Sequence, residues 1–595
     1  MCGIAGILDY ARRAPVAPAT MAAMRAAMAH RGPDAQGELF RPRWGLGLGH
    51  VRLSIIDLAG GDQPLSNEDG TVWTVFNGEI YNFRELRARL EAAGHVFRTR
   101  SDTEVLVHLY EEKGERLVDD LLGDFAFAIW DDRDGSLLLA RDHLGVKPLY
   151  YCDYDGQFAF ASTLPALLEG TAAPREVEPL ALLSYLTFYV VQAPLTIYRA
   201  ARKLPPGHVL TVRGGEVRLR AYWDLRMEPE DERSLDSFAE ELEALVLDAV
   251  RRQMVADVPL GAFLSGGIDS SLVVRAMTEC SAGPVKTFSI GYREPAYDES
   301  RFYRLLAREL NVEHHELVFE PRLLEDVTHI VEMFGEPCAI GSAFPLYYLA
   351  KLARQHVTVA LSGDGPDEIF AGYDLRYRYL QRMHRARRVL PRLALVGAGA
   401  ALSTTHMLRT TGRIGNLLRQ LRKFCETAAL PPEQWQPHLA MNRTLRTSPA
   451  ALMAEPVDPG RLLPYVRAFI AAGRPRRLAP SVPLRRYARR PARRDVHEAG
   501  LHDDGQRPRR AGPAVRLPHR RAGRADAQRV QVRRAHRQGR PPARRRPPSA
   551  GPDSPAFQGR IPGAPQRVVP QGAVPARVRR SAGLVFPLVR AVQHP

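Results

Sequence analysis

At 595 residues, 45% of them hydrophobic, the chain can bury roughly two to four ordinary cores. Five scattered cysteines, an odd number, argue against a disulfide framework and for a reducing compartment. A net charge of +17 would suit a nucleic-acid binder, yet residues 471–595 hold 30 Arg, no Lys and 6 acids; that stretch carries +24 and leaves the first 470 residues at −7.

The body of the protein therefore offers no charge basis for binding nucleic acid. The first residues, Met1 to Ile7, lack a basic region ahead of their short apolar run. No apolar segment reaches the roughly twenty residues that span a bilayer. A cytoplasmic protein without a membrane partner is expected.

In chain order, Cys2 comes first. Its small side chain suits removal of Met1, which would leave a thiol and a free α-amine on one residue. An amine with a pKa of about 7.7–8.0 can accept the thiol proton near neutrality, so such a residue can act as nucleophile and base together. A second-position Cys alone is more often without meaning. A helix-like run from Met21 to Ala29 ends at the turn His30-Arg31-Gly32-Pro33-Asp34. Alternating strands follow through Gly49 to Asp57, where Arg52 offers a guanidinium fork for a substrate carboxylate. Val75 to Asn82 reads as a strand closing on Asn77-Gly78. That pair is either a hairpin turn or an oxyanion hole, with the Asn77 amide and the Gly78 N–H as donors. Ser101-Asp102-Thr103-Glu104 predicts a capped helix start, and Asp102 is either the cap alone or also a partner for a substrate ammonium. Strands from Phe125 to Trp130 and Ser136 to Ala140 precede Arg141 to Tyr151, more strand and turn material.

Leu204-Pro205-Pro206-Gly207-His208 and Tyr222-Trp223-Asp224 mark a crossing between domains. A long amphipathic helix from about Ser234 to Met254 carries Phe238, Leu242, Leu245, Val246 and Val250 at helical spacing. Val258 to Ser271 then reads as a buried strand (Gly261 to Leu264), a tight turn at Gly266 and Gly267, and a helix from Asp269. The glycines let the backbone approach a phosphate, and the N-terminus of the following helix favours an anion. Ser265, Ser270 and Ser271 add hydroxyl donors, and Asp269 could hold a magnesium ion. This is not the Walker loop, which needs Gly-Lys-Ser or Gly-Lys-Thr. Taken alone, it is equally an ordinary serine–glycine turn. Pro284 to Gly291 predicts a second parallel strand, and Asp298-Glu299-Ser300 opens a helix. Glu336-Pro337 through Ser342 forms a loop, and Val357 to Leu361 a buried strand ending in Ser362-Gly363-Asp364-Gly365-Pro366-Asp367-Glu368. Strand, helix, strand with loops at the carboxyl ends predicts a doubly wound parallel sheet, with ligand at those ends. Two acid-bearing loops at one edge suit ATP–magnesium chemistry.

Met1 to Gly6, His30 to Asp34, Arg52 to Asp57, Phe76 to Asn82 and Ser101 to Val105 resemble, in order, the motifs of class II glutamine amidotransferases of the asparagine synthetase branch. The resemblance covers Met1 to about Leu168 and implies an N-terminal-nucleophile αββα sandwich. It implies that Cys2 attacks the glutamine amide, that Asn77 and Gly78 stabilise the oxyanion, and that Arg52, Leu53, Ile55, Glu79 and Asp102 help hold glutamine. The later loops resemble ATP-pyrophosphatase-loop synthetases. That similarity implies a pyrophosphate cradle of Ser265, Gly266, Gly267, Ile268, Asp269 and Ser270. It also implies nucleotide contacts from Leu264, Ile290, Ser362 and Gly363, magnesium on Asp269 and Asp367, and Asp364 near an acyl-adenylate. The implied reaction uses ATP to adenylate aspartate or another carboxylate, and ammonia from glutamine then displaces AMP. Because ammonia protonates and leaks at neutral pH, an enclosed internal passage is expected.

The expected layout is a glutaminase domain at 1–200, a linker at 201–232, an ATP-dependent synthetase domain at 233–470 with its carboxyl part incomplete, and a disordered basic tail at 471–595. The tail is Arg, Pro, Ala and Gly without period, a composition that cannot bury a core. One account is a tail that binds RNA or membrane. A reading-frame slip in a GC-rich gene is preferred, because codons made only of G and C encode just those four residues. Pro366 replaces the small residue usual to the family and removes an N–H from the phosphate loop. No Lys follows Lys423, so the family's downstream lysines are missing and weak amide synthesis is expected. Rival readings are an amidotransferase of the same architecture acting on an envelope sugar or secondary metabolite, and a non-catalytic nucleic-acid binder acting through the tail. A homodimer is compatible with the sequence.

Overall fold

A computed structural model describes residues 1–225, 233–295, 298–320, 323–370, 372–404, 413–432, 435, 449–454 and 457–462. The tail 471–595 lies outside the described residues, as do residues 463–470 of the expected synthetase domain. The described residues all fall in one compact unit.

The amino-terminal half runs β1 (Gly3–Asp9), α1 (Pro18–Ala26), β2 (Ala35–Arg41), β3 (Leu46–Arg52), β4 (Leu65–Ser66), β5 (Val72–Ile80), α2 (Phe83–Ala92) and α3 (Val105–Lys113). It continues through β6 (Gly123–Asp131), β7 (Ser136–Arg141), β8 (Tyr150–Tyr154), β9 (Gln157–Ala161), α4 (Leu164–Glu169), α5 (Pro179–Phe188), β10 (Ala201–Lys203), β11 (His208–Arg213) and β12 (Glu216–Ala221). Two antiparallel six-stranded sheets result, in the orders β10-β8-β9-β1-β3-β2 and β12-β11-β7-β6-β5-β4.

Alternation along the strands sets the layers. Ile4 and Leu8 of β1 meet Val75, Ala126, Ala128 and Trp130 between the sheets. Ala5 and Ile7 turn outward onto Met21, Met24 and Leu164 of the first helix layer. Phe76 and Ile80 of β5 turn outward onto Phe83, Leu86, Val105 and Leu109 of α2 and α3. This is the expected αββα sandwich. β1 and β3 are buried throughout because both their faces are covered, so the alternation expected through Gly49 to Asp57 is not seen.

Three local expectations change. Residues 201–221 are not linker: β10 pairs with β8 and β11 with β7, and Val209, Leu210 and Val212 enter the cores, so the sandwich runs to Ala221. Asn77 and Gly78 do not form a turn, since they pair with Ala126 and Phe125 in the middle of the β5–β6 ladder. The capping box at Ser101 to Glu104 does not close, because Glu104 instead accepts hydrogen bonds from the backbone N–H groups of Arg98 and Thr99, each at 2.8 Å.

The second half contains α6 (Leu235–Gln253), β13 (Leu260–Phe263), α7 (Ile268–Cys280), β14 (Lys286–Gly291), α8 (Ser300–Glu309), β15 (Glu313–Val318), α9 (Leu323–Phe334), α10 (Ala343–Arg354), β16 (Val359–Leu361) and α11 (Pro366–Ile369). Its parallel sheet has the order β15-β14-β13-β16. Ala262 and Leu264 pack on one face with α6, α7 and α8, while Phe263 and Phe288 pack on the other with Ala350 and Ala353 of α10. Helices on both faces make the sheet doubly wound, and the order reverses between β13 and β16. Phe238 stays half-exposed outside this core, stacked under Arg233, so the apolar stripe of α6 starts later than expected. Helices α12 (Asp374–Val389), α13 (Arg392–Thr404) and α14 (Arg413–Ala429) form a separate cluster around Met383, Leu395, Ala428 and Trp435. No helix among the described residues is long and apolar enough to cross a membrane.

His50 ties the two sheets together. Its Nε2 donates to the carbonyl of Phe76 at 3.2 Å, and its Nδ1 is buried without a partner. Burial holds the ring neutral and pushes its pKa down from 6.5 to about 4. The unfolded chain therefore binds the extra proton first, and this contribution to stability is complete above pH 6.5 and lost as pH falls toward 4. The loss should reach at most about 3 kcal/mol. Urea unfolding followed by circular dichroism should show it, and His50→Gln should flatten the dependence over that window.

Candidate active site

The chain start lies in a pocket at the end of the sandwich, lined by Cys2, Arg52, Leu53, Ile55, Asn77, Gly78, Glu79 and Asp102, with Gln63, Thr103 and Lys147 among the other walls. β1 begins beside the end of β3, with Gly3 opposite Val51, which carries Cys2 to Leu53. The Leu53 N–H donates to Cys2 Sγ at 3.4 Å, and Arg31 Nε donates to the Cys2 carbonyl at 3.0 Å. Burial pushes the Cys2 thiol up and pushes the terminal ammonium of Met1 down to about 5. The Met1 amine is therefore held neutral near pH 7.

β5 supplies the other wall. Its N–H groups point alternately to the two sides of the strand. On the side away from β6, the Phe76 N–H donates to Gln63 Oε1 at 2.6 Å and the Ile80 N–H to Asp102 Oδ2 at 2.9 Å. The Gly78 N–H lies between them on the same side. Its opposite residue, Phe125, directs its own N–H and carbonyl to Asp142. Gly78 must be glycine, because a Cβ there would stand 2.2 Å from the Asp124 carbonyl. Asn77 is 1% exposed, and both its amide oxygen and its amide nitrogen lack a partner. A buried unpaired amide costs about 1–3 kcal/mol unless a ligand completes it. Asn77 Nδ2 and Gly78 N thus form a ready pair of donors for an oxyanion.

Arg52 departs from the free fork expected of it. Its terminal nitrogens donate to the carbonyls of Ile56, Asp57 and Leu58 at 3.2, 2.6 and 3.2 Å and to Asp62 at 2.9 Å. The Asp62 side chain is 71% exposed, so it fills the anion position and can swing away. Asp102 holds Ile80, and with Glu79 it is buried in the pocket wall. Gln63 and Lys147 were missed in the sequence. Lys147 is 1% exposed in a segment that read only as strand and turn.

At the synthetase end, the switch point between β13 and β16 brings the two acid-bearing loops together. Gly266 has φ +83°, and a Cβ there would meet Phe302 and Tyr303 at 2.8 Å. Ser265 Oγ and Ser270 Oγ lie 2.9 Å apart, and Gly267 N–H donates to Ser265 Oγ at 3.2 Å. A Cβ on Gly363 would stand 2.5 Å from the Ser270 N, so the loops touch backbone to backbone. Ser362 Oγ donates to Asp364 Oδ2 at 2.8 Å. Burial and then the charge of Asp367 push the Asp269 carboxyl up. Leu264 directly follows β13 and Ile290 is the penultimate residue of β14, whereas Ile268 is 85% exposed on the first turn of α7. Pro366 occupies the first position of α11, where a helix has no use for the missing N–H.

A thiol at position 2 beside an unpartnered amide in an αββα sandwich is the layout of an N-terminal-nucleophile fold. The second half is an α/β domain whose two glycine-rich, acid-bearing loops meet at one sheet edge. Residues 1–223 match the glutamine amidotransferase domain family and residues 241–537 match the asparagine synthase family, a span reaching into the stretch 471–595. The chain is 40% identical over 379 residues to glutamine-hydrolysing asparagine synthetase 1 of Bacillus subtilis, covering 63% of this chain and 59% of that one. A Methanocaldococcus jannaschii protein, provisionally named as a second glutamine-hydrolysing asparagine synthetase, is 35% identical over 398 residues, covering 63% of this chain and 76% of that one. The chain belongs to the asparagine synthetase family. It spans under two thirds of the length of the first of these relatives.

Asn77→Ala should lower kcat for glutamine hydrolysis about 10²- to 10³-fold and change KM little, because the donor acts on charge that develops in the transition state. Glutamate release measured against glutamine concentration checks it.

Proposed function

We propose that the chain is a glutamine-dependent asparagine synthetase. The observation that carries this reading is the unpartnered Asn77 amide beside the Gly78 N–H in the pocket of Cys2. With Met1 removed, the Cys2 amine takes the thiol proton and Sγ attacks the side-chain amide carbon of glutamine. Negative charge on the carbonyl oxygen is met by Asn77 Nδ2 and Gly78 N–H. Collapse expels ammonia and leaves a γ-glutamyl thioester, which water hydrolyses to glutamate. Arg52, released from Asp62, holds the glutamine carboxylate, and Glu79 and Asp102 hold its ammonium. Leu53 positions the thiol through its N–H, and Ile55 closes the pocket wall.

In the other half, the acceptor carboxylate attacks the α-phosphate of ATP and pyrophosphate leaves. Ammonia then attacks the acyl carbon, AMP leaves, and an amide results. Gly266, Gly267, Ser265, Ser270 and the first turn of α7 suit the pyrophosphate, with Leu264, Ile290, Ser362 and Gly363 toward the nucleotide. Asp269 and Asp367 would suit magnesium, since the charge of Asp367 raises the Asp269 carboxyl; when bound, the ion would neutralise charge on the departing pyrophosphate. Asp364 is the residue assigned to the acyl-adenylate. All five cysteines are free thiols, which supports a cytoplasmic setting.

Pro366 and the lack of Lys beyond Lys423 favour one second reading, a working glutaminase whose amide synthesis is weak. One assay separates the two: pyrophosphate release with glutamine or ammonium, over a panel of carboxylic acids. Aspartate-dependent release that is abolished in Asp269→Asn, while glutamine hydrolysis continues, is the expected result. Glutamine hydrolysis without pyrophosphate from any acid overturns the synthetase reading, and activity with another acid alone overturns aspartate.

A further inference from the structure

Away from both sites, four side chains from three segments converge on one point. Glu68 lies between β4 and β5, His95 follows α2, and His108 and Glu111 sit one turn apart on α3. One donor atom from each lies within 4.8 Å of all the others. Glu68 Oε1 is 3.3 Å from His95 Nδ1, and Glu68 Oε2 is 3.3 Å from His108 Nδ1. Glu111 Oε2 is 3.6 Å from His108 Nδ1 and 3.9 Å from His95 Nδ1. Donors held tetrahedrally at zinc-like bond lengths of about 2.0–2.1 Å stand about 3.3 Å apart, so with one donor from each residue and every pair within 4.8 Å, side-chain adjustment alone can close the set.

The second observation is His108 itself. It is 0% exposed, and neither ring nitrogen makes a hydrogen bond. Glu111 Oε2 is likewise buried without one. Around them is a supporting shell of the kind that orients metal ligands. Glu104 Oε1 faces His108 Nε2 at 3.7 Å, Asn67 Nδ2 donates to Glu111 Oε1 at 2.8 Å, and the Val96 N–H donates to Glu68 Oε1 at 2.9 Å. Glu112 Oε1 adds negative charge 3.9 Å from His95 Nε2.

We propose that Glu68, His95, His108 and Glu111 bind a four-coordinate divalent transition metal such as zinc, with all four positions filled by protein. Two imidazoles with two carboxylates suit zinc-type ions better than magnesium or calcium, which take oxygen ligands. A closed set leaves no position for substrate, so the role is structural. The ion would pin α3 to the approach to β5, and the turn just before α3 supplies Ser101, Asp102 and Thr103 to the Cys2 pocket.

The test is titration of the chelator-treated full-length protein with cobalt(II). One ion per chain is expected, with the strong visible bands of four-coordinate cobalt, no thiolate-to-cobalt charge transfer, and displacement by zinc. His108→Gln removes the most buried ligand and risks the fold. The more exposed Glu111→Gln and His95→Gln, checked by circular dichroism, should therefore carry the comparison, each weakening binding by at least about 100-fold. Zinc should raise the Tm of the parent protein and leave that of Glu111→Gln unmoved. No stoichiometric binding, a thiolate spectrum, or unchanged affinity in both variants would overturn the proposal.

Discussion

The Cys2 pocket depends on one buried strand edge left largely unpaired. β4 is two residues long and pairs with β5 only at Trp73 and Thr74, so the rest of that edge has no neighbouring strand. Buried N–H groups must find acceptors, and the side chains of Gln63 and Asp102 supply them on either side of Gly78. A longer β4 would have consumed the Gly78 N–H in a ladder. The Asn77 side chain, one residue off, turns to the opposite face from Phe76 and Ile80, toward the strand that begins beside Cys2. A short edge strand thus leaves two donors for a reacting oxygen.

The same region joins the two halves. Ile55 lines the Cys2 pocket and also packs against the core of the synthetase sheet. Its carbonyl accepts from the Asp257 N–H at 2.9 Å, while Asp257 Oδ2 accepts from the Asp57 N–H at 2.8 Å. Arg52 donates to the Asp57 carbonyl, so the loop that contacts the second half also holds the guanidinium of the first. A second bridge is the partly buried ion pair of Lys203 with Glu336, beside the hydrogen bond from Ala339 N–H to the Tyr189 carbonyl. The loop from Ile55 to Asp57 is therefore in direct contact with the second half.

Much of this is written in the chain. Apolar runs such as Phe125 to Trp130 and Val357 to Leu361 declare strands, and glycine-rich loops after Leu264 and Leu361 suggest an anion edge. What escaped depends on tertiary context. Pro205-Pro206-Gly207 punctuates the chain as a linker would, yet the following strand completes the sandwich because β7 offers a free edge. Asn77-Gly78 has the chemistry of a hairpin, and only its pairing with β6 excludes one. Ser101 to Glu104 has the spacing of a helix cap, but nearer N–H groups take the Glu104 carboxylate. Gln63 and Lys147, and the cluster of Glu68, His95, His108 and Glu111, join segments whose meeting no local pattern announces.

The central claim is a covalent one, that Cys2 carries glutamine's acyl group while the β5 donors hold its oxygen. Rapid acid quench of the protein turning over glutamine, followed by mass spectrometry of the amino-terminal peptide, tests it directly. The account predicts a peptide lacking Met1 with a glutamyl adduct on Cys2. A peptide that keeps Met1, or one that stays unmodified while glutamate accumulates, would contradict it.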